Sequence, residues 1–244
     1  MFDSSSVAIT HIINSLEKHR NRYLSSPATA PPLFVGIQGP QGSGKTHLTK
    51  ILENELSSSP HNFSLAVLSI DDLYLDHNGL LTLAEQNPFN ILWAGRGQPG
   101  THDIKFGCEL LHSLHRINED KSGAEVELPL FDKSLFDGDG DRLPKGDPRN
   151  PIVRTPPRLE IVILEGWCTG FSALNENHLV TSLENYFNSQ KEEGDPFDRT
   201  ILKKHDILGV NNALKEYENL WKQFTCFVQV CILKLCTFVL KLLN

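Results

Sequence analysis

The segment GPQGSGKT, residues 39–46, has the residue types and spacing that hold the phosphates of a nucleotide. Its glycines let backbone N–H groups turn inward around phosphate oxygens. Lys45 would reach the β- and γ-phosphates, and the Thr46 hydroxyl would be a ligand of Mg²⁺. The residues predicted to bind the nucleotide are Gly39, Gln41, Gly42, Ser43, Gly44, Lys45 and Thr46.

Acidic residues at the ends of two predicted strands would supply the carboxylates that phosphoryl transfer needs. Asp71 and Asp72 in SIDDLYL follow the second strand, at the edge where open α/β sheets bind ligands. Asp71 is the better candidate for the base that accepts the proton of an attacking hydroxyl, because Asp72 is equally explained as a helix cap. Glu165 ends the run IVIL and would orient Mg²⁺ or its waters, unless it is an ordinary strand-end residue. We predict Lys45, Asp71 and Glu165 as catalytic residues.

Two other functions of these motifs are excluded. GTPases recognise guanine through an NKxD-type loop, and the sequence contains no such tetrapeptide. FDGDGD alternates aspartates as an EF-hand does, at Asp137, Asp139 and Asp141. Arg142 stands where that loop needs glycine, however, and Pro148 stands where it needs the bidentate glutamate. We therefore predict Mg²⁺ at the P-loop and no calcium site.

Composition describes a globular protein of 244 residues with a net charge of −7. An acidic chain without a long basic run is poorly suited to nucleic acid, so a small anionic ligand is the expected partner. The N-terminus lacks the charge and apolar pattern of a secretory signal. Five cysteines without CxxC pairs favour reduced thiols. We expect a cytoplasmic protein, with the nucleus as a second compartment, and no membrane partner; the sequence fixes no oligomeric state.

The order of predicted elements is that of a P-loop NTPase fold, a mainly parallel, doubly wound α/β sheet. Residues 1–32 form an N-terminal amphipathic helix and a Pro-rich linker at 25–32. The helix carries its apolar residues at Val7, Ile9, Ile12, Ile13 and Leu16. Residues 33–244 are predicted to form the P-loop domain, with buried strands at 33–38, 64–70 and 160–167 and a helix after the glycine loop.

The middle of this domain, about 76–158, is rich in Gly, Pro and Asp, which predicts substrate-facing loops with a helix near 106–117. The interval 175–198 is acidic and rich in amides, and is predicted to be helix and exposed loop. The middle segment would face the substrate rather than build the sheet.

Six motifs resemble those of the glycerate kinase-like P-loop kinases, the branch that includes plant D-glycerate 3-kinase and a related fungal ATP-dependent kinase. This branch is akin to uridine kinase and phosphoribulokinase. The resemblance covers roughly residues 33–227, and the fungal type is the closer likeness. The motifs are GPQGSGKT, SIDDLYL, GRGQPGTHD (95–103), FDKSLFDGDGDR (131–142), LEGWCTGF (164–171) and VNNALKEYENLW (210–221).

The resemblance implies roles for particular residues. Asp71 matches the carboxylate regarded as the catalytic base in the uridine kinase relatives, and Asp103 falls where they place a carboxylate that holds a substrate hydroxyl. A second group lies in the same motifs and could neutralise an acidic substrate or the incoming phosphate, or could pair with nearby aspartates. These four residues are Arg96, His102, Lys133 and Arg142.

The C-terminal segment, about 226–244, departs from the family pattern, which continues with a Trp-Arg and a Gln-Glu pair. This chain reads CILKLCTFVLKLLN instead. A buried strand followed by a short amphipathic helix is the leading interpretation. A membrane span is disfavoured because Gln229, Lys234 and Lys241 interrupt the apolar run. An alternative transcript or incomplete gene model is a third interpretation, and it would remove a cation near the transferred phosphate.

Two functional hypotheses follow. The first is an ATP-dependent kinase that phosphorylates a hydroxyl of a small metabolite, with ATP and Mg²⁺ as cofactors and D-glycerate as the first candidate substrate, on resemblance alone. The second is an ATP-binding protein without efficient catalysis, either regulatory or a truncated isoform. The atypical C-terminal segment favours the second hypothesis, and the complete set of acidic and basic motif residues favours the first.

Overall fold

A computed structural model describes residues 4–120, 122–189 and 201–231. Its helices and strands alternate along the chain, as expected for an α/β fold. In chain order they are α1 (Ser4–Asn21), β1 (Leu33–Gln38), α2 (Lys45–Ser57), β2 (Leu65–Ser69), α3 (His77–Gln86), α4 (Ile104–Arg116), β3 (Glu125–Glu127), β4 (Phe131–Asp132), β5 (Asp141–Arg142), β6 (Ile152–Arg154), β7 (Ile161–Gly166), α5 (Glu176–Asn188), α6 (Lys204–Trp221) and β8 (Cys226–Gln229).

The central sheet is parallel and has the strand order β2-β7-β1-β8. The described part of the chain adds two small antiparallel pairs, β3 with β6 and β4 with β5. Glu165 on β7 lies opposite Ile37 on β1 and Ser69 on β2. This register puts the C-terminal ends of three strands at one edge.

Helices cover both faces of the sheet because β1 and β7 are buried at every position and are apolar except for Gln38 and Glu165 near their C-terminal ends. On one face α1 and α2 pack against alternate sheet residues, including Val35, Ile37 and Ile163. On the other face α4 and α6 pack against Phe34, Val162 and their neighbours. The predicted doubly wound P-loop architecture is confirmed.

Glycine at position 36 permits the close approach of the α6–β8 corner to the sheet. A Cβ atom there would lie 2.8 Å from side-chain carbons of both Phe224 and Phe227. Such a distance is too short for carbon atoms, so a larger residue would push this aromatic corner away from β1.

The three strands predicted near residues 33, 64 and 160 are present, and the C-terminal segment begins with a strand, β8, beside β1. That strand was predicted to be buried, but within it only Cys226 is buried and Phe227 is exposed. Residues 232–244, where a helix was predicted, lie outside the described residues, as do 190–200 in the predicted loop. Val7 was predicted to face the core and is instead 57% exposed, whereas Ile12 and Leu16 are buried. Helix α3 is a further correction, because its segment was predicted to be loop.

Within the described ranges, no helix is both long and apolar enough to cross a membrane. The four cysteines in those ranges are free thiols, in agreement with the prediction, and Cys236 lies outside them.

Candidate active site

The predicted P-loop, Asp71 and Glu165 lie together at one edge of the sheet, at the C-terminal ends of three strands. Gly39 follows β1 directly, and Asp71 follows β2 in a short 3-10 turn, Ile70–Leu73. Glu165 lies on β7 between them. The sequence predicted that these groups meet at one edge, and the parallel register places them there.

The P-loop backbone has the form that binds phosphate. Gly42 and Gly44 have φ of 75° and 85°, which only glycine adopts readily, and the space around both is open to 4 Å. Helix α2 begins at Lys45. Its first N–H groups have no intrahelical acceptors, as at any helix start, and no side chain caps them. The dipole of α2 adds partial positive charge at the same point.

The donors in this loop fit a nucleotide phosphate. The Ser43 hydroxyl is buried and has no hydrogen-bond partner among the described residues. The Lys45 ammonium donates to the Pro40 carbonyl at 3.0 Å and so stays over the loop. Thr46, in the first turn of α2, is exposed and able to contribute its hydroxyl to Mg²⁺. Magnesium at such sites combines one or two protein oxygens with phosphate and water, so this sparse set of donors is adequate.

Glu165 is a buried carboxylate, 9% exposed, at the centre of this edge. Burial raises the pKa of Glu165, while the Lys45 ammonium and a hydrogen bond from Ser69 oppose that shift. A carboxylate held against its desolvation cost beside a phosphate loop is typical of a functional position rather than of a stabilising one.

Replacement of Glu165 by glutamine is therefore expected to preserve or increase stability. Between the ordinary pKa of 4.5 and the raised value, the folded state binds more protons than the unfolded state. Its stability consequently falls as the pH rises through that window. Glutamine does not titrate, so Tm of Glu165→Gln at pH 7 should equal or exceed that of the wild type. The difference should shrink as the pH approaches 4.5. Thermal melts over this range test it, with the exposed Glu55→Gln on α2 as control; a lower Tm at pH 7 would contradict it.

Asp71 is held by two side chains that come from its own turn and from far along the chain. The Tyr74 hydroxyl lies beside the Asp71 carboxylate. The Lys133 ammonium lies 2.5 Å from Asp71 Oδ2. Asp71 is about one third exposed, so it is open to a ligand while its orientation is fixed.

Asp72 has a structural role, which was one of its two predicted alternatives. Its Oδ2 accepts the Ser69 N–H at 3.3 Å, and its Oδ1 accepts the Phe131 N–H at 3.1 Å. These bonds close a capping box around the turn and tie β4 to the end of β2. Asp72 thereby supports Asp71 and faces away from the pocket.

Asp103 caps helix α4 and pairs with Arg142. Its Oδ1 accepts the Phe106 N–H at 3.0 Å, and its Oδ2 lies 3.2 Å from Arg142 Nη2. Arg142 also lies over the Phe106 ring, 4.5 Å from its centroid. The structure thus brings two predicted substrate residues together as an ion pair at the start of α4.

The capping and charge roles of Asp103 are separable. Asp103→Ala removes the cap and should lower the free energy of unfolding by about 0.5–2 kcal/mol. Asp103→Asn keeps a capping oxygen, so its free energy of unfolding should remain within a few tenths of a kcal/mol of the wild-type value. Urea denaturation of both variants measures the difference. Equal destabilisation of the two would show that the pair with Arg142, and not the cap, stabilises this corner.

Arg96 stabilises the pocket from the loop 94–100. Its guanidinium donates to the carbonyl oxygens of Gly138 and Asp139 and lies 5.6 Å from the centroid of the Phe131 ring. Indole and phenol groups anchor the rest of the loop: Trp93 donates to Pro99 O, Trp167 donates to Gly97 O, and Tyr217 accepts from Gly100 N. The wall that carries Arg96 is therefore fixed.

The buried position of His102 contradicts its predicted role as a cation. The ring is 4% exposed, stacks on Tyr74 with centroids 4.3 Å apart, and lies 2.6 Å from the Tyr217 hydroxyl through Nδ1. Burial lowers the pKa of His102 to about 3, so the ring is neutral at pH 7. It connects α6 to the turn that carries Asp71, and it supplies no charge to a ligand.

An open pocket of about 680 Å³ lies at this edge of the sheet, and its lining does not include Lys45, Thr46, Glu165, His102, Asp103 or Arg142. Gln41 of the P-loop, Asp71, Arg96 and Lys133 line it, and α3 forms the opposite wall. Sequence reasoning missed Tyr74, Tyr217 and α3. Tyr74 was visible within SIDDLYL, and the Asp76 cap followed by leucines was a signal for α3.

Comparison with known proteins agrees with this geometry. A family model described as the KAP family P-loop domain matches residues 11–199. The probable ATP-dependent kinase TDA10 of Saccharomyces cerevisiae is 38% identical over 186 residues, covering 74% of this chain and 62% of TDA10. The chloroplastic D-glycerate 3-kinase of Arabidopsis thaliana is 36% identical over 144 residues, covering 59% of this chain and 30% of that protein. The chain thus spans less than two thirds of the length of these relatives.

A solved structure matches a larger share of this chain than these two relatives do. The D-glycerate 3-kinase from Cryptococcus neoformans superimposes with a TM-score of 0.77 at 34% sequence identity. The match covers 92% of this chain and 72% of that structure.

Proposed function

The chain belongs to the KAP family of P-loop domains and to the glycerate kinase-like P-loop kinases, and from this membership we propose that it is an ATP-dependent small-molecule kinase. It would transfer the γ-phosphate of MgATP to a hydroxyl group of a metabolite. The observation that carries this proposal is the position of Asp71 in a pocket that begins at the P-loop.

The roles of the residues follow from their positions. The P-loop N–H groups and Lys45 would hold the phosphates, and Thr46 with Glu165 would hold or orient Mg²⁺. MgATP supplies the transferable phosphoryl group. Asp71 would take the proton of the acceptor hydroxyl. At the same time the hydroxyl oxygen would bond to the γ-phosphorus, and the bond from the γ-phosphorus to the β–γ bridging oxygen would break, so that this oxygen leaves with ADP. Tyr74 and Lys133 would keep Asp71 directed at that hydroxyl.

D-glycerate is the first acceptor to test. The support is the names of two relatives, each called a D-glycerate 3-kinase, and two cations that line the pocket. Arg96 and Lys133 each offer a donor to a carboxylate on the acceptor. Asp103 and Arg142, paired at the start of α4, would hold a second substrate group nearby.

ATP binding without catalysis remains the competing function. A protein that only bound nucleotide would have no need for Asp71 or for the tyrosine and lysine that orient it. The C-terminal segment that suggested this function lies largely outside the described residues. The geometry therefore favours the kinase.

The test is coupled ADP release by the purified chain with MgATP and a panel of D-glycerate, uridine, pantothenate and simple sugars. Acceptor-dependent ADP release supports the kinase and identifies the substrate class. If ATP binds but no acceptor is phosphorylated, also by a version extended with a family-type C-terminus, the kinase proposal is wrong for this chain.

A further inference from the structure

We propose that the preferred acceptor is a hydroxy acid with an apolar substituent, bulkier than D-glycerate, and that helix α3 binds this substituent. The inference rests on the proposed function, because it concerns the acceptor side of the same pocket. It names the chemical class of the acceptor and the residues that select it.

The pocket has two chemically different sides. The polar side carries the charged groups that would handle a hydroxyl and a carboxylate: Asp71, Arg96, Lys133 and Asp139. The apolar side is formed by α3 and by the start of the facing loop: Leu80, Leu81, Ala84 and Ala94. Small-molecule sites commonly combine a few polar groups for orientation with an apolar lining for affinity.

The exposure of Leu81 is the main evidence that the apolar side of the pocket binds part of the acceptor. Leu80 is 7% exposed because it packs with Tyr74 and Phe131, whereas Leu81 is 48% exposed although it also lines the pocket. Covering exposed apolar surface is favourable, and an alkyl group bound on α3 would do so.

The wall is anchored and does not depend on the ligand for its position. Asp76 caps α3 by accepting the Gly79 N–H at 2.7 Å. The His77 N–H donates to Asp141 Oδ1 at 2.9 Å, and the His77 ring stacks on Phe136 with centroids 3.8 Å apart. Helix α3 is thus tied to the β4–β5 pair, and a preformed surface costs little to bind.

D-glycerate cannot use this surface. Each of its carbons bears oxygen, so it has no alkyl group to lay on Leu81 or Ala84. An acid with the same functional groups and added methyl groups would satisfy both sides of the pocket.

D-pantoate is the probe that isolates this difference. Like D-glycerate it has a primary alcohol, a secondary hydroxyl and a carboxylate, and it adds one carbon that bears two methyl groups. Hydrophobic pockets discriminate by about tenfold or more for one carbon group. We expect kcat/KM for D-pantoate to exceed that for D-glycerate by at least about tenfold. Neopentyl glycol, which lacks the carboxylate, should be poorer than D-pantoate.

Variants of α3 locate the effect. Leu81→Asp and Ala84→Asp should lower the ratio of kcat/KM for D-pantoate to that for D-glycerate by about tenfold. Thr82→Asp, exposed on the same helix and outside the pocket lining, should leave the ratio unchanged. A ratio is insensitive to partial unfolding, because inactive protein lowers both activities equally.

Three results would overturn the inference. If D-glycerate is phosphorylated and D-pantoate is the poorer acceptor, the inference is wrong and the proposed function stands. If D-pantoate is preferred but Leu81→Asp and Ala84→Asp keep the ratio, α3 is not the binding wall. If no acceptor is phosphorylated, the proposed function fails first, and the inference with it.

Discussion

Asp71→Asn is expected to lower kcat by about 10²–10⁴-fold, because a positioned general base contributes about that much to a rate. Asparagine preserves the shape of the side chain but cannot take the proton of the acceptor hydroxyl. The P-loop is untouched by this change, so the affinity for MgATP should stay near that of the wild type. Steady-state ADP release and calorimetric titration with ATP measure the two quantities on the same protein.

A control for this variant lies in the neighbouring loop. Asp137 is exposed, has φ of 55°, which asparagine tolerates, and is not part of the pocket lining. Asp137→Asn makes the same chemical change and should retain activity. If Asp71→Asn keeps acceptor-dependent turnover, Asp71 is not the base.

Lys45→Met is expected to weaken MgATP binding by at least about tenfold and to lower kcat by about 10²–10³-fold. The Lys45 ammonium is positioned over the P-loop, and removal of one preorganised donor from a developing charge costs about that much in rate. The change also removes the cation that opposes the raised pKa of the Glu165 carboxyl, so Glu165 becomes harder to ionise.

Lys50→Met is the matched control for this prediction. Lys50 is an exposed residue of the same helix, α2, and does not face the loop. Both variants should melt near the wild-type temperature, while nucleotide affinity should fall for Lys45→Met alone. Similar affinities for the two variants would show that the backbone N–H groups hold the phosphates without Lys45.

The sequence by itself determined the sheet and the P-loop. Apolar runs mark strands β1, β2 and β7, of which β1 and β7 are buried throughout and β2 is buried at alternate positions. The glycines of residues 39–46 specify a backbone form that other residues adopt at a cost. Asp71 and Glu165 were also predictable, because parallel strands that end in carboxylates meet at one edge. These features depend on neighbours along the chain and on a few general rules of α/β folds.

Only the tertiary structure decided what surrounds them. Lys133 pairs with Asp71 across 62 positions of sequence, and Tyr217 bonds to His102 across 115. Helix α3 was mistaken for loop because its apolar residues cover a small cluster and a pocket rather than the main core. His102 was predicted to be a cation because its neighbours in sequence do not reveal that it is buried. Its burial depends on α6, which comes more than a hundred residues later. Side-chain charge and pocket shape arise from contacts distant in sequence, and local pattern does not encode them.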